Sequence, residues 1–233
     1  MIDRMDNHPV EEGHHESYLV SVSDLMAGLV LVLMVLLMAF AFQVFRASEF
    51  VRDEQKRLTE AKESRDRALK TIQTSLNAVQ IKVSVDLDKG LVRLPEEMLF
   101  ESGRAGIRPV GWHAIRLLAR ELAETLPTCS GLEAVLVEGH TDNTPIYAAI
   151  QDGDKVYRDN WDLSYARAKK TEQALLWGSP KLETMTNPHG VPLLGMAAYG
   201  ETRPAFDNTK PAGRAGNRRI DIRLVLEAPS ARK

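Results

Sequence analysis

Residues 25–42 read LMAGLVLVLMVLLMAFAF, a run with no charge and nothing more polar than a glycine. Residues 18–24, YLVSVSD, extend it to a length that spans a bilayer as one helix. A cleavable secretory signal needs a basic leader, a shorter apolar core and a small-residue cleavage site. Residues 1–17 instead carry Arg4 against Asp3, Asp6, Glu11, Glu12 and Glu16. The expectation is a permanent transmembrane helix over 18–45, preceded by a polar tail over 1–17.

Within that helix Asp24 is the one acidic or basic residue between Glu16 and Arg46. Counted from Tyr18 it lies about 9 Å along the helix. An ionised carboxylate in such surroundings costs several kcal/mol, so the group is suited to taking up and releasing a proton. Ser17, Ser21, Asp24 and Gly28 follow at spacings of four, three and four, which makes one narrow polar face among Leu, Val and Met. Such a face turns toward protein, with Ser21 and Gly28 beside Asp24 facing a pore. The competing reading is an acid at the interface that snorkels to water or caps the helix start.

On the C-terminal side the composition flips. Residues 46–80, RASEFVRDEQKRLTEAKESRDRALKTIQTSLNAVQ, are rich in helix formers and free of glycine and proline, which predicts an exposed helix about 50 Å long. Val51, Leu58, Ile72 and Val79 fall on a seven-residue grid broken by Arg65, with Ala61 and Ala68 at the companion position. That thin stripe fits either a dimeric coiled coil or a solvated single-helix spacer.

Beyond Gln80 the pattern is that of an α/β (α+β) domain over 81–227, with 228–233 as a tail. Ile81, Val83, Val85 and Leu87 alternate with polar residues, and Asp88-Lys89-Gly90 turns the chain into 91–94 as a hairpin. Val110, Ala114, Leu117, Leu118, Leu122 and Leu126 share one face of a helix closed by Pro127. Residues 134–137 read as a central strand buried on both faces. A helix over 162–177, a strand over 193–199 and a strand through Ile220, Ile222, Leu224 and Leu226 complete a sheet covered by two helices.

Composition narrows function. The 233 residues exceed one domain's common size, and a net charge of -2 with interleaved signs gives no basic face for direct nucleic-acid binding. The single cysteine, Cys129, excludes an internal disulfide and a cysteine-cluster metal site, and reads as a small buried hydrophobe. His140 has no second histidine at ligand spacing, so it reads as a hydrogen-bonded loop residue, with no metal. No nucleophile–base arrangement and no phosphate-cradling glycine loop is recognisable, so no catalytic residue, enzyme activity or cofactor is expected.

Four motifs remain: VEGHTDNTP at 137–145, NWDLSYARA at 160–168, YGETRP at 199–204 and NRRID at 217–221. In that order they resemble the OmpA-like peptidoglycan-binding domain over about residues 81–227. The membrane segment with its embedded Asp24 extends the resemblance to MotB-type stator subunits. The short acidic N-terminus and the opening SDLMAGL at 23–29 look more like the ZorB-type subunits of Zorya anti-phage systems than like flagellar MotB.

The resemblance implies a ligand, the zwitterionic diaminopimelate end of the peptidoglycan stem peptide. Asp142 would receive its ammonium group and Arg167 its carboxylate. Thr141, Asn160, Leu163, Asn217 and Arg218 would contribute lesser contacts. Beside these stand plainer readings: Asn160 or Asp162 as a helix cap, Gly200 as a turn, Arg218 or Arg219 as structural ion pairs. Residues 146–159, IYAAIQDGDKVYRD, depart from the family by lengthening the loop between the two halves of the pocket.

It further implies a homodimer whose two helices thread a ring of five MotA-like or ZorA-like membrane subunits. The location would be the bacterial inner membrane, with a cytoplasmic N-terminus and a periplasmic C-terminal domain. Arg46, Arg52, Lys56, Arg57, Lys62 and Arg65 crowd the C-terminal flank, so basic residues alone place that domain in the cytoplasm. The expectation follows the resemblance, since a cytoplasmic peptidoglycan binder has no ligand. A flagellar stator subunit and a passive membrane-to-wall tether without ion flow stand as alternatives.

Overall fold

The computed structural model describes residues 12–147, 149–152 and 155–229, with the side chains of 12–19 and 151 excepted. Most of the expected N-terminal tail over 1–17, with the end of the C-terminal tail over 228–233, lies outside the described residues. Two units emerge, residues 1–55 and 56–233.

In the first unit the apolar run is helical, within α1 (Glu12–Ala78). Its bulky side chains, among them Leu25, Leu29, Leu33, Leu36 and Phe40, are exposed. The most apolar 18-residue window has a mean hydropathy of 2.9 and none of it is buried, so by length and composition this helix can cross a membrane. Asp24 is exposed on it, and a Cβ built on Gly28 would meet nothing within 4 Å.

In the second unit the rest of α1 departs from the expected exposed spacer. Ala61, Ala68, Leu69, Ile72 and Leu76 recur at helical spacing and are buried, and the last four enter the main core. Ala61, Ala68 and Ile72 of the heptad grid therefore spend their apolar surface on this domain, while Val51 and Val79 stay exposed. Arg65, which broke the grid, is buried too; its guanidinium donates to Leu87 O at 2.7 Å and pairs with Asp66 at 3.0 Å.

The chain leaves α1 through Gln80, at φ 63. It then forms a hairpin of β1 (Ser84–Asp86) and β2 (Leu91–Pro95). Gly90 at its turn has φ 67, a left-handed conformation that favours glycine, and the Arg65 guanidinium lies against it. One helical turn, α2 (Glu96–Leu99), precedes α3 (Pro109–Thr125). The core face of α3 runs through Ala114, Ile115, Leu118, Ala119 and Leu122; Val110, expected on it, is 66% exposed.

Then follow β3 (Leu132–His140), a small hairpin β4 (Ile150–Asp152) and β5 (Lys155–Tyr157), and α4 (Asn160–Gly178). The chain ends through α5 (Lys181–Thr184), β6 (Leu194–Ala198), α6 (Pro211–Asn217) and β7 (Arg219–Leu226). The main sheet has the order β1-β2-β7-β3-β6 and is mixed: β3 and β6 run parallel, the other pairs antiparallel.

One face of this sheet, with Val92, Leu94, Val135, Val137, Ile220, Ile222 and Leu224, builds the core with α3, α4 and α1. The opposite face is not the apolar layer that the run 134–137 predicts. The pleat brings Glu138, His140, Arg219, Asp221, Arg223 and Arg93 together there as neighbours. The carboxylates of Glu138 and Asp221 are buried at the centre of that row because guanidinium groups surround them.

Candidate functional site

Strand β3 ends at His140 and delivers Thr141 and Asp142 to the rim of the sheet. Helix α4 starts beside that rim because it packs on β3 at Gly139, where an added Cβ would lie 2.2 Å from Ser164 O. Its N-cap is Asp159, whose side chain accepts from Asp162 N at 2.8 Å. Asn160 is thus free of capping duty. Its amide donates to Asp142 O at 3.4 Å and Thr144 O at 3.1 Å, fixing the loop that carries Asp142.

Two turns into α4, Arg167 returns to the same place. A cavity of about 410 Å³ is lined by Asp142 and Arg167 together with Thr141, Asn160, Leu163 and Arg218. Six of the seven residues expected to bind ligand therefore converge there, although Asp142 and Arg167 stand 25 positions apart in the chain. The seventh, Asn217, does not line it. Its amide oxygen accepts from Ala205 N and Phe206 N, and its amide nitrogen donates to Phe206 O and Asn208 Oδ1, so it serves to hold the 205–208 loop. A larger cavity of about 630 Å³ beside β5 and α4 contains none of these residues.

Sequence reading missed Glu96. This acid opens α2, lines the cavity, and pairs with Arg167 through Oε1 and with Arg218 Nε through Oε2 at 3.2 Å. Arg218 Nη1 in turn donates to Asp142 Oδ2 at 2.6 Å. Arg167, Glu96, Arg218 and Asp142 thus form a chain of alternating charges, with zero formal sum. The sequence did hold a signal for it, a Pro followed by two acids at a helix start, but nothing that pointed to a site.

Arg167 is 2% exposed, its Nε donates to Arg104 O at 2.9 Å, and its guanidinium carbon lies 5.4 Å from the Phe100 ring centroid. Burial lowers its pKa in spite of Glu96, and an arginine side chain is not deprotonated in proteins. Asp142 behaves oppositely. Burial alone would raise its pKa, but the Thr144 backbone N–H and the Arg218 guanidinium outweigh burial and hold the carboxyl below its ordinary 3.8. Both groups are ionised at neutral pH, as a charged two-point grip requires.

Within the 146–159 segment β4 pairs with β5, and residues at its start line the cavity. Asp152 accepts from Ala105 N at 3.0 Å, and Tyr157 packs with Ala105 and Leu163. That anchorage places Ile146, Tyr147 and Ile150 along the lining. The cavity is therefore charged on one side and apolar on another.

His140 lies in strand β3 rather than in a loop, and is buried with both ring nitrogens lacking a hydrogen-bond partner among the described residues. One ligand atom each from Glu138, His140 and Asp221 lie within 4.8 Å of one another, the spacing a metal ion needs. Three guanidinium groups more than neutralise the two carboxylates, which disfavours a further cation: Glu138 pairs with Arg223 at 2.8 and 2.7 Å, Asp221 with Arg93 at 3.0 Å and Arg219 at 2.9 Å. This set reads as an ion-pair network.

No family model matches the chain. Among curated proteins it is 28% identical over 152 residues to motility protein B of Bacillus subtilis (strain 168), across 65% of this chain and 51% of that protein. It is 29% identical over 138 residues to outer membrane porin F of Pseudomonas fluorescens, across 59% of this chain and 35% of the porin. The match thus spans about half of the first relative and about a third of the second. Among solved structures, a MotB-like protein from Desulfovibrio vulgaris superposes with a TM-score of 0.55 at 21% identity, covering 73% of this chain and 96% of that one. The cell wall anchor of the type VI secretion system from Pseudomonas aeruginosa gives 0.51 at 26% identity, covering 68% and 97%. The mixed sheet with its helices is the MotB-like fold.

Proposed function

We propose that this chain is the wall-anchored subunit of a proton-driven inner-membrane motor, built like a MotB-type stator subunit. The observation that carries the wall-binding half is the convergence of Asp142 and Arg167 on one cavity, with a matched set of charges between them. A diaminopimelate end has an ammonium, a carboxylate and a short methylene stem. Asp142 suits the first, Arg167 the second, and the Ile146 and Ile150 wall the third.

The motor half rests on the uncovered apolar helix with its single carboxylate at Asp24, and on the likeness to motility protein B. Two such helices would thread a ring of MotA-like or ZorA-like subunits, five to the dimer's two, with the N-terminus cytoplasmic and the C-terminal domain periplasmic. Proton binding at Asp24 would shift the ring between two arrangements, while Ser21 and the uncrowded Gly28 let neighbouring helices approach. The SDLMAGL opening favours the ZorB-type defence role over flagellar motility. The tether reading leaves Asp24 without a use.

The test is proton uptake in vesicles containing the chain and its ring-forming partner. Asp24→Asn is expected to abolish flux while leaving assembly and wall binding intact; unchanged flux removes the motor half.

A further inference from the structure

We infer that Glu96 is a second receptor for the ligand's ammonium group, completing with Asp142 and Thr141 a cage of three acceptors. The inference rests on the stem-peptide reading above and adds to it a requirement for a free amine.

Two orphaned polar atoms carry the argument. Glu96 is 6% exposed, and its Oε2 has no hydrogen-bond partner among the described residues. Arg218 Nε stands 3.2 Å away, close enough for charge attraction, but its N–H is not aimed at that oxygen. Thr141 Oγ1 is likewise buried and unpartnered, and both residues line the cavity that holds Asp142. A buried polar atom without a partner costs free energy, and two of them in one cavity call for a guest that supplies hydrogen-bond donors.

An ammonium group has three N–H donors and no acceptor. Thr141 Oγ1, Glu96 Oε2 and the Asp142 carboxylate offer three acceptors. Asp142 has capacity left, since Thr144 bonds it through its backbone N–H and its side chain and Arg218 donates to Oδ2, while the two carboxylate oxygens can accept about four bonds. Arg218 contacts both acids, so the two carboxylates are held by one guanidinium in the same cavity.

Charge gives the same answer. Two arginines and two acids cancel, so a zwitterion enters without adding net charge, whereas a guest with only a carboxylate adds a negative charge and leaves Glu96 Oε2 and Thr141 Oγ1 without a hydrogen bond. A site built around a donor rejects the analogue lacking it far more strongly than an apolar pocket rejects a missing methylene. Glu96 also braces Arg167, so a loss of binding alone would not separate the two duties.

The experiment compares two peptides on the full chain in detergent: a stem tripeptide ending in diaminopimelate with its end amine free, and the same peptide acetylated on that amine. The wild-type chain is expected to prefer the free amine by at least about tenfold. Glu96→Gln and Thr141→Val should each shrink that preference severalfold. Thr141→Val leaves the Glu96–Arg167 pair in place, so it reports the cage alone and decides the matter if Glu96→Gln fails to fold. A preference unchanged in Thr141→Val and in a folded Glu96→Gln overturns the inference. If the wild-type chain binds neither peptide, the stem-peptide reading falls and takes the inference with it.

Discussion

Arg57 donates to Glu227 at 2.7 Å, joining α1 to the residue just beyond the last strand across 170 positions of sequence. The contact marks where α1 becomes part of the folded domain, close to the division between the two units. Both partners are partly exposed, so the pair itself contributes at most about 1 kcal/mol. The apolar residues that follow it contribute more.

Ile72, fully buried in the main core, tests this directly. Ile72→Ala is expected to destabilise the domain by about 2–5 kcal/mol, and Arg57→Ala by less than about 1 kcal/mol. Chemical denaturation of the full chain measures both. Equal, small effects would return residues 61–76 to the role of a free spacer.

The buried row on the polar face of the sheet predicts a two-step acid response. Burial pushes the His140 pKa below its ordinary 6.5, although Glu138 and Asp221, at 3.9 and 3.8 Å, pull the other way. The unfolded chain therefore takes up this proton before the folded one, and stability begins to fall as the pH drops through 6.5. Burial would raise the Glu138 pKa, but His140 beside it and the paired Arg223 bring it down from 4.5 to about 2. Its stabilisation is complete above 4.5 and is lost between 4.5 and about 2. Denaturant midpoints taken across pH should show both losses, and His140→Gln should remove the upper one and shrink the lower one, because His140 is one of the groups that hold the Glu138 carboxyl down. A wild-type midpoint that is flat from about pH 7.5 to about pH 5 contradicts this account.

Local pattern carried much of the fold. The alternation through Ile220, Ile222 and Leu224 reads as a strand because one pleated face is apolar, and the α4 helix reads from its own spacing. The motif positions Asp142 and Arg167 were legible as a pair through resemblance, and the cavity brings them together. What stayed hidden depends on partners distant in sequence. The α1 stripe looked too thin to bury because the sheet and helices that cover it come later in the chain. Glu96 looked like any acid at a helix start, since its partner Arg167 lies 71 positions away. Asn217 looked like a ligand contact because a buried amide that braces a loop and one that faces a guest share the same local sequence.

The claim on which the whole account depends is that the Asp142 cavity grips the cell wall. Co-sedimentation of the full chain with purified peptidoglycan sacculi tests it most directly, with Asp142→Asn as the comparison, a change that removes one charge and keeps the side chain's shape. The wild-type chain should pellet with sacculi while folded Asp142→Asn stays in the supernatant. Equal pelleting of the two, or no pelleting of either, would contradict the account.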